Sequence, residues 1–129
     1  MKLQKILERL QKLHPKEIDL SLDRIKKLCQ KLGNPQKNIK SISVVGTNGK
    51  NSTIQTMRAI LTAAKTKCNI YTSPHVKKIN ERFVYNNKEI DDFELCQILS
   101  EVEEANDGDE ITYFEILTAG FFYGTKKYK

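Results

Sequence analysis

The sequence predicts an α/β fold, a parallel sheet with helices at its N-terminal end. Three observations predict it. An apolar β-type run, Ile42-Ser43-Val44-Val45, leads straight into a glycine-punctuated loop. A helical pattern follows that loop, and a second short β-type run, Cys68-Asn69-Ile70-Tyr71, follows the helix. Strand, helix and strand at this spacing read as a βαβ unit, which the right-handed crossover makes parallel.

Taken in order, Leu3, Ile6, Leu7, Leu10 and Leu13 recur at helical spacing and predict an amphipathic helix over residues 2–13, ended by His14-Pro15. A second helix is expected over residues 21–32, with Leu22, Ile25, Leu28, Cys29 and Leu32 inward. Gly33 supplies its C-terminal cap and Pro35 its stop. Residues 39–45 read as the first strand, apolar enough at the end to be buried on both faces. After the loop, residues 52–64 predict a helix with Ile54, Met57, Ile60, Leu61 and Ala64 inward. Phe83-Val84-Tyr85 and the Asn86-Asn87 turn suggest a hairpin. Asp91 or Asp92 caps a helix running to about Ala105, with Phe93, Cys96, Leu99 and Val102 inward. A last helix starts at Thr112.

The bulk properties suit one domain with a real core. The chain has 129 residues, 39% of them hydrophobic and 29% charged. No apolar run is long enough to span a membrane, and the first residues mix charge into the apolar ones, unlike a signal peptide. A cytoplasmic protein is expected, with no membrane and no nucleic-acid partner. Cys29, Cys68 and Cys96 lie far apart with no metal-ligand spacing, so buried reduced thiols are expected. The net charge of +6 is uneven. Residues 1–40 carry eleven basic and four acidic side chains, while residues 89–110 carry ten acidic ones and no basic one. Both stretches read first as solvated helix faces, and RNA binding by the basic one stands as a rival.

Gly46-Thr47-Asn48-Gly49-Lys50-Asn51-Ser52-Thr53 carries the chemistry. Glycines let backbone N–H groups turn inward, and the following helix N-terminus adds positive potential. Lys50 reaches outer phosphates as a point charge, and a hydroxyl can bond phosphate or magnesium. The candidate ATP-binding residues are Thr47, Asn48, Gly49, Lys50, Asn51 and Ser52, with Lys50 the candidate catalytic residue. The spacing is short. The common phosphate loop has four residues between its first glycine and the Gly-Lys pair, and here there are only Thr47 and Asn48. A small kinase or other P-loop NTPase would need the longer spacing and an acidic magnesium strand.

The compact Gly-Thr-Asn-Gly-Lys resembles that of ATP-dependent amide ligases of the Mur type. Together with Tyr71-Thr72-Ser73-Pro74-His75, Asn80-Glu81-Arg82 and Thr112-Tyr113-Phe114-Glu115, it resembles the folylpolyglutamate synthase/dihydrofolate synthase family in order and spacing. The resemblance implies a partial, truncated Mur-ligase-type P-loop nucleotide-binding domain. Residues 1–129 would form the N-terminal part of the ATP-binding domain, without the C-terminal glutamate-binding domain. It implies a monomer that uses ATP to add L-glutamate to dihydropteroate or a folate through an acyl phosphate, and a chain inactive by itself. It makes Ser73 a Mg2+ ligand and Thr112, Tyr113, Phe114 and Glu115 the lining of a pterin pocket. The same resemblance sets Asp19 and Leu20 at the border of that pocket.

Read without the resemblance, Ser73-Pro74 is ordinary turn chemistry and Thr112-x-x-Glu115 is a helix-capping box. His75 is a candidate general base, or simply a packed loop histidine. Arg82 is a candidate for an anionic substrate, or for a hairpin salt bridge. The chain departs from the family at Asn51, where a glycine is usual, and the family's later magnesium and lysine segments have no counterpart in residues 1–129.

Overall fold

The computed structural model describes residues 2–15, 20–37, 39–46 and 48–128. Five helices and one small sheet occupy them: α1 (Lys2–Gln11), α2 (Asp23–Lys31), α3 (Lys50–Ala63), β1 (Ile70–Tyr71), β2 (Phe83–Tyr85), β3 (Lys88–Glu89), α4 (Asp92–Asn106) and α5 (Tyr113–Gly124). A 3-10 turn, Ile79–Arg82, leads into β2. Among the described residues no helix is long and apolar enough to cross a membrane.

Helices α1, α2, α4 and α5 form the core. The predicted stripe of α1 is buried at Leu3, Ile6, Leu7 and Leu10, against α4. Helix α2 buries Leu28 and Cys29 and then ends as the sequence predicts. Gly33 takes φ +85°, its N–H donates to Gln30 O at 3.1 Å, and Asn34 N–H donates to Cys29 O at 2.7 Å. That is a Schellman cap, which only a residue free of Cβ strain adopts cheaply. Leu22 precedes the helix and is exposed.

Helix α4 starts where expected, with Asp91 accepting from Glu94 N–H at 2.8 Å. Cys96, Leu99 and Val102 are buried as expected, but Phe93 is not. Leu95, Ile98, Leu99 and Val102 are completely buried, whereas Phe93 is 77% exposed. The helix packs on α1 and on α5 at once, so it buries a wide face centred on Leu95, Ile98, Leu99 and Val102, and Phe93 falls outside it.

The sheet is antiparallel, with order β1-β2-β3. Ile70 faces Val84 and Tyr71 faces Phe83; Val84 faces Glu89 and Tyr85 faces Lys88. The β2–β3 hairpin confirms the Asn86-Asn87 expectation. Both residues are left-handed, at φ +52° and +65°, as a two-residue type I′ turn requires.

The βαβ expectation meets a correction here. Residues 39–46 form no strand, and Ile42 and Val45 are exposed. A strand holds only when its backbone groups pair with a neighbour, and among the described residues no strand pairs with this run. Helix α3 shares the condition: it forms, but no residue of it is fully buried, and Ile60 is exposed. It is tied to the hairpin by polar contacts instead. Arg58 donates to Asn87 Oδ1 at 3.3 Å and to Asn87 O at 2.7 Å, and Asn87 Nδ2 donates to Thr62 at 3.1 Å.

The two charged halves of the sequence meet each other. Arg9 makes a two-pronged pair with Glu103, both bonds 2.9 Å, and Lys27 and Lys31 each reach Asp109 at 3.1 Å. Much of the basic excess of the N-terminal helices thus faces the acidic α4 end. Cys29 and Cys96 are buried and Cys68 half-buried, all as free thiols, and burial pushes the Cys29 and Cys96 thiols upward in pKa.

Candidate functional site

The glycine loop enters α3 with the geometry a phosphate cradle needs. Gly49 is the residue before the helix and takes φ +77°, with no atom within 4 Å of where a Cβ would stand. The left-handed backbone, not crowding, therefore selects glycine. Among the described residues no side chain caps the helix, and its first turn has no acidic residue. The first N–H groups of a helix lack intrahelical acceptors, and the helix dipole favours an anion there. Lys50 is half-buried while Asn48, Asn51 and Ser52 are exposed. Asn51 lies inside α3 and is not among the positive-φ residues, so the site makes no demand on Asn for left-handed backbone. Thr47 lies outside the described residues.

The second part is the loop after β1. Ser73 is exposed, and the Ser73–Pro74 bond is cis. The neighbouring Asn80-Glu81-Arg82 motif holds this region in shape, a role its sequence did not disclose. Asn80 is buried and donates to Ile90 O at 3.0 Å and Asp92 Oδ1 at 2.8 Å. The Glu81 carboxylate accepts from the N–H groups of Val76, Lys77 and Lys78 at 2.9, 3.0 and 3.1 Å. Those N–H bonds, from Val76 first, hold its carboxyl below the ordinary pKa. Arg82 donates to His75 Nδ1 at 2.9 Å, and among the described residues it forms no ion pair with a hairpin carboxylate.

The third part is the start of α5. Thr112 and Glu115 make the capping box read from the sequence. Glu115 N–H donates to Thr112 Oγ1 and Thr112 N–H donates to Glu115 Oε1, each at 3.1 Å. Arg24 Nε donates to the same Glu115 oxygen at 2.9 Å, with both side chains about one-seventh exposed. Burial pushes the Glu115 pKa up, but the Thr112 N–H and Arg24 outweigh it, and the net shift is downward. Glu115 is therefore committed to the protein itself. Phe114 is half exposed, Tyr113 half-buried.

The second and third parts come together through aromatic rings. Tyr71, at the end of β1, has its ring 6.3 Å from that of Phe114, 5.6 Å from Phe83 and 5.1 Å from Phe121. The Thr118 hydroxyl bridges Phe114 O at 2.8 Å and the Tyr71 hydroxyl at 3.2 Å. Burial pushes the Tyr71 and Tyr113 phenols up, so both rings stay neutral, while the charge of Arg82 pulls the other way on each. The result is a partly open aromatic wall beside an exposed hydroxyl loop. Among the described residues, no hydrogen bond or ion pair joins residues 48–53 to either of those parts.

A divalent metal fits this arrangement in a limited way. Among the described residues no three His, Cys, Asp or Glu gather as a metal cluster. Ser73 offers one hard oxygen, which matches a magnesium-type ion that takes one or two protein ligands and completes its shell with phosphate and water.

No family model matches the chain. Curated relatives do. It is 36% identical over 109 residues to the dihydrofolate synthase/folylpolyglutamate synthase of Escherichia coli, covering 84% of this chain and 26% of that one. The Bacillus subtilis enzyme of the same name is 37% identical, again over 84% of this chain and 27% of its own. Among solved structures, the Yersinia pestis bifunctional folylpolyglutamate synthase/dihydrofolate synthase complexed with AMPPNP and Mn superposes with a TM-score of 0.88 at 33% identity, over 98% of this chain and 31% of that one. The chain thus spans about a quarter to a third of the length of these relatives and matches a stretch of their family in both sequence and fold.

Proposed function

We propose that this chain, a stretch of the folylpolyglutamate synthase/dihydrofolate synthase family, supplies the phosphate-binding and pterin-facing parts of a cytoplasmic, monomeric ATP-dependent amide ligase. The single observation that carries the reading is the Gly49–α3 junction: a left-handed glycine, a helix start with no side-chain cap among the described residues, and Lys50 on its first turn. Thr47, Asn48, Gly49, Lys50, Asn51 and Ser52 would hold ATP, with Lys50 neutralising charge that develops on the transferred phosphoryl group. Ser73 would donate an oxygen to Mg2+, which supplies charge neutralisation when bound. Phe114 and Tyr113 would present rings to the pterin of dihydropteroate or a folate, with Thr112 and Glu115 fixing the helix that mounts them. The substrate carboxylate would be activated as an acyl phosphate and taken by the amino group of L-glutamate.

The parallel sheet belongs to the same proposal. In that setting residues 39–45 become a strand once a neighbouring strand pairs with them, and the exposed Ile42, Val45 and Ile60 become buried. Taken alone, the 129-residue chain is expected to bind ligand weakly and not to ligate glutamate. Measurable ligation by the purified chain would contradict that.

Binding of Mg·ATP provides the test. At ten times its dissociation constant a ligand that binds only the folded state stabilises it by about 1.4 kcal/mol. Mg·ATP is expected to raise the melting temperature of the chain by a few degrees, and Lys50→Ala to abolish the rise. An equal rise in the Lys50→Ala chain would refute the cradle.

A further inference from the structure

Arg58 and Thr62 stand one helical turn apart on α3, and both meet a single residue of the β2–β3 turn, Asn87. We propose that Arg58 and Asn87 are positioning residues: their clasp fixes the rotation of α3 about its own axis, and with it the direction in which the first turn presents its N–H groups and Lys50 to a phosphate.

The clasp closes on itself. Arg58 Nη2 donates to Asn87 O at 2.7 Å and Arg58 Nε donates to Asn87 Oδ1 at 3.3 Å. Asn87 Nδ2 donates to Thr62 Oγ1 at 3.1 Å, and the Thr62 hydroxyl donates back to Arg58 O at 2.8 Å. The guanidinium only donates, while the Asn87 amide accepts with one end and donates with the other. A planar guanidinium set against two acceptors of one residue defines an angle as well as a distance, which a point charge on a flexible stem does not.

Asn87 is the fixed end. It takes its left-handed backbone in the turn that closes β2 on β3, and every residue of β2 is buried. The preceding Asn86 N–H donates to Asn69 Oδ1 at 2.9 Å, which ties the turn to the chain entering β1. Helix α3 is the loose end. It has no fully buried residue, so packing sets its rotation weakly. Among the described residues, the hydrogen bonds from α3 to the sheet all run to Asn87.

The half-buried positions of α3 are Lys50, Ile54, Met57, Arg58 and Leu61, a spacing that places them on one side of the helix. Arg58 therefore anchors the side that carries Lys50, about 12 Å further along the axis. A rotation of α3 that opens the clasp swings Lys50 away with it. The nucleotide reading supplies the phosphate, and the orientation rests on the contacts alone.

Backbone N–H residual dipolar couplings of the full 129-residue chain test the clasp, and the Gly49 amide titrated with Mg·AMPPNP tests what it serves. In the wild-type chain the α3 couplings are expected to fit the same alignment as those of α4 and α5. Arg58→Met is expected to scale them down while the Leu99 and Ile116 amides stay in place. Asn87→Gly keeps the turn, because Asn-Gly is the preferred type I′ pair, and keeps the backbone acceptor, so a smaller loss is expected there. Asn87→Asp keeps both acceptors and is expected to preserve the couplings. Wild-type α3 couplings that are already averaged, or that survive Arg58→Met unchanged, overturn the proposal. Arg58→Met is also expected to weaken Mg·AMPPNP binding by roughly tenfold, the scale of one charge-assisted bond. Unchanged affinity beside averaged couplings overturns the positioning role. A Gly49 amide silent in the wild-type chain sinks the nucleotide reading instead, and the couplings still decide the clasp.

Discussion

Phe83→Ala is expected to cost about 3–5 kcal/mol, a large part of what a domain of this size has. Phe83 is completely buried in β2, with its ring 5.6 Å from that of Tyr71 and 6.3 Å from that of Phe121. It therefore holds the short sheet to α5. Phe93→Ala is the control. Phe93 is exposed on α4, and its loss is expected to stay within about 0.5 kcal/mol. Urea unfolding of the two variants separates them, and a large cost at Phe93 would mean that the inner face of α4 is the one its sequence suggested.

Glu115→Ala ranks second. It removes one half of the capping box, worth about 1 kcal/mol, and a charge-assisted bond from Arg24 worth about 1.5–3 kcal/mol. It also leaves the Arg24 guanidinium, mostly shielded from water, without that carboxylate. The same pair sets a pH dependence. The folded Glu115 carboxyl has a pKa below its ordinary 4.5, so its contribution is complete above that value and is lost as pH falls through the lower folded value. Glu81 and Asp109 are shifted in the same direction, by backbone N–H groups and by Lys27 and Lys31 respectively. Stability is therefore expected to fall as the pH drops below the ordinary carboxylate range. Glu115→Gln should flatten that fall without removing it. A Gln variant whose acid sensitivity matches the parent chain would show that the Arg24–Glu115 bond contributes nothing.

Local signals were legible in the sequence because their physics is local. The Asn86-Asn87 turn, the Gly33 cap, the Asp91 cap and the Thr112–Glu115 box each depend on a few neighbouring backbone groups, and each forms as its residues indicate. The α1 stripe was legible for the same reason. Residues 39–45 read as a strand from their apolar β-branched composition, but a strand depends on a partner far away in sequence, and no local pattern supplies one. Phe93 was misplaced because periodicity gives the spacing of a stripe but not which of two overlapping stripes the neighbours cover.

At the site, composition and spacing marked the Gly46–Lys50 loop, and the structure gives Gly49 the left-handed backbone that such a loop needs. The part played by Asn80, Glu81 and Arg82 was hidden. Their bonds run to backbone groups, to Asp92 and to a histidine that only the fold brings within reach. Asn87 was hidden in the same way, since its contact with Arg58 orients α3, and with it the glycine loop, against the hairpin. Glu115 forms the capping box that its spacing indicates, while its bond from Arg24, ninety-one residues away, was not legible.

The cradle at residues 48–52 is the centre of the account, and amide chemical shifts of the uniformly labelled chain titrated with Mg·AMPPNP test it most directly. The account predicts saturable movement concentrated at Asn48, Gly49, Lys50, Asn51 and Ser52, with core amides such as Leu99 and Ile116 unmoved, and no such movement in Lys50→Ala. Absence of movement at those residues at millimolar nucleotide, or the same movement in the Lys50→Ala chain, would contradict it.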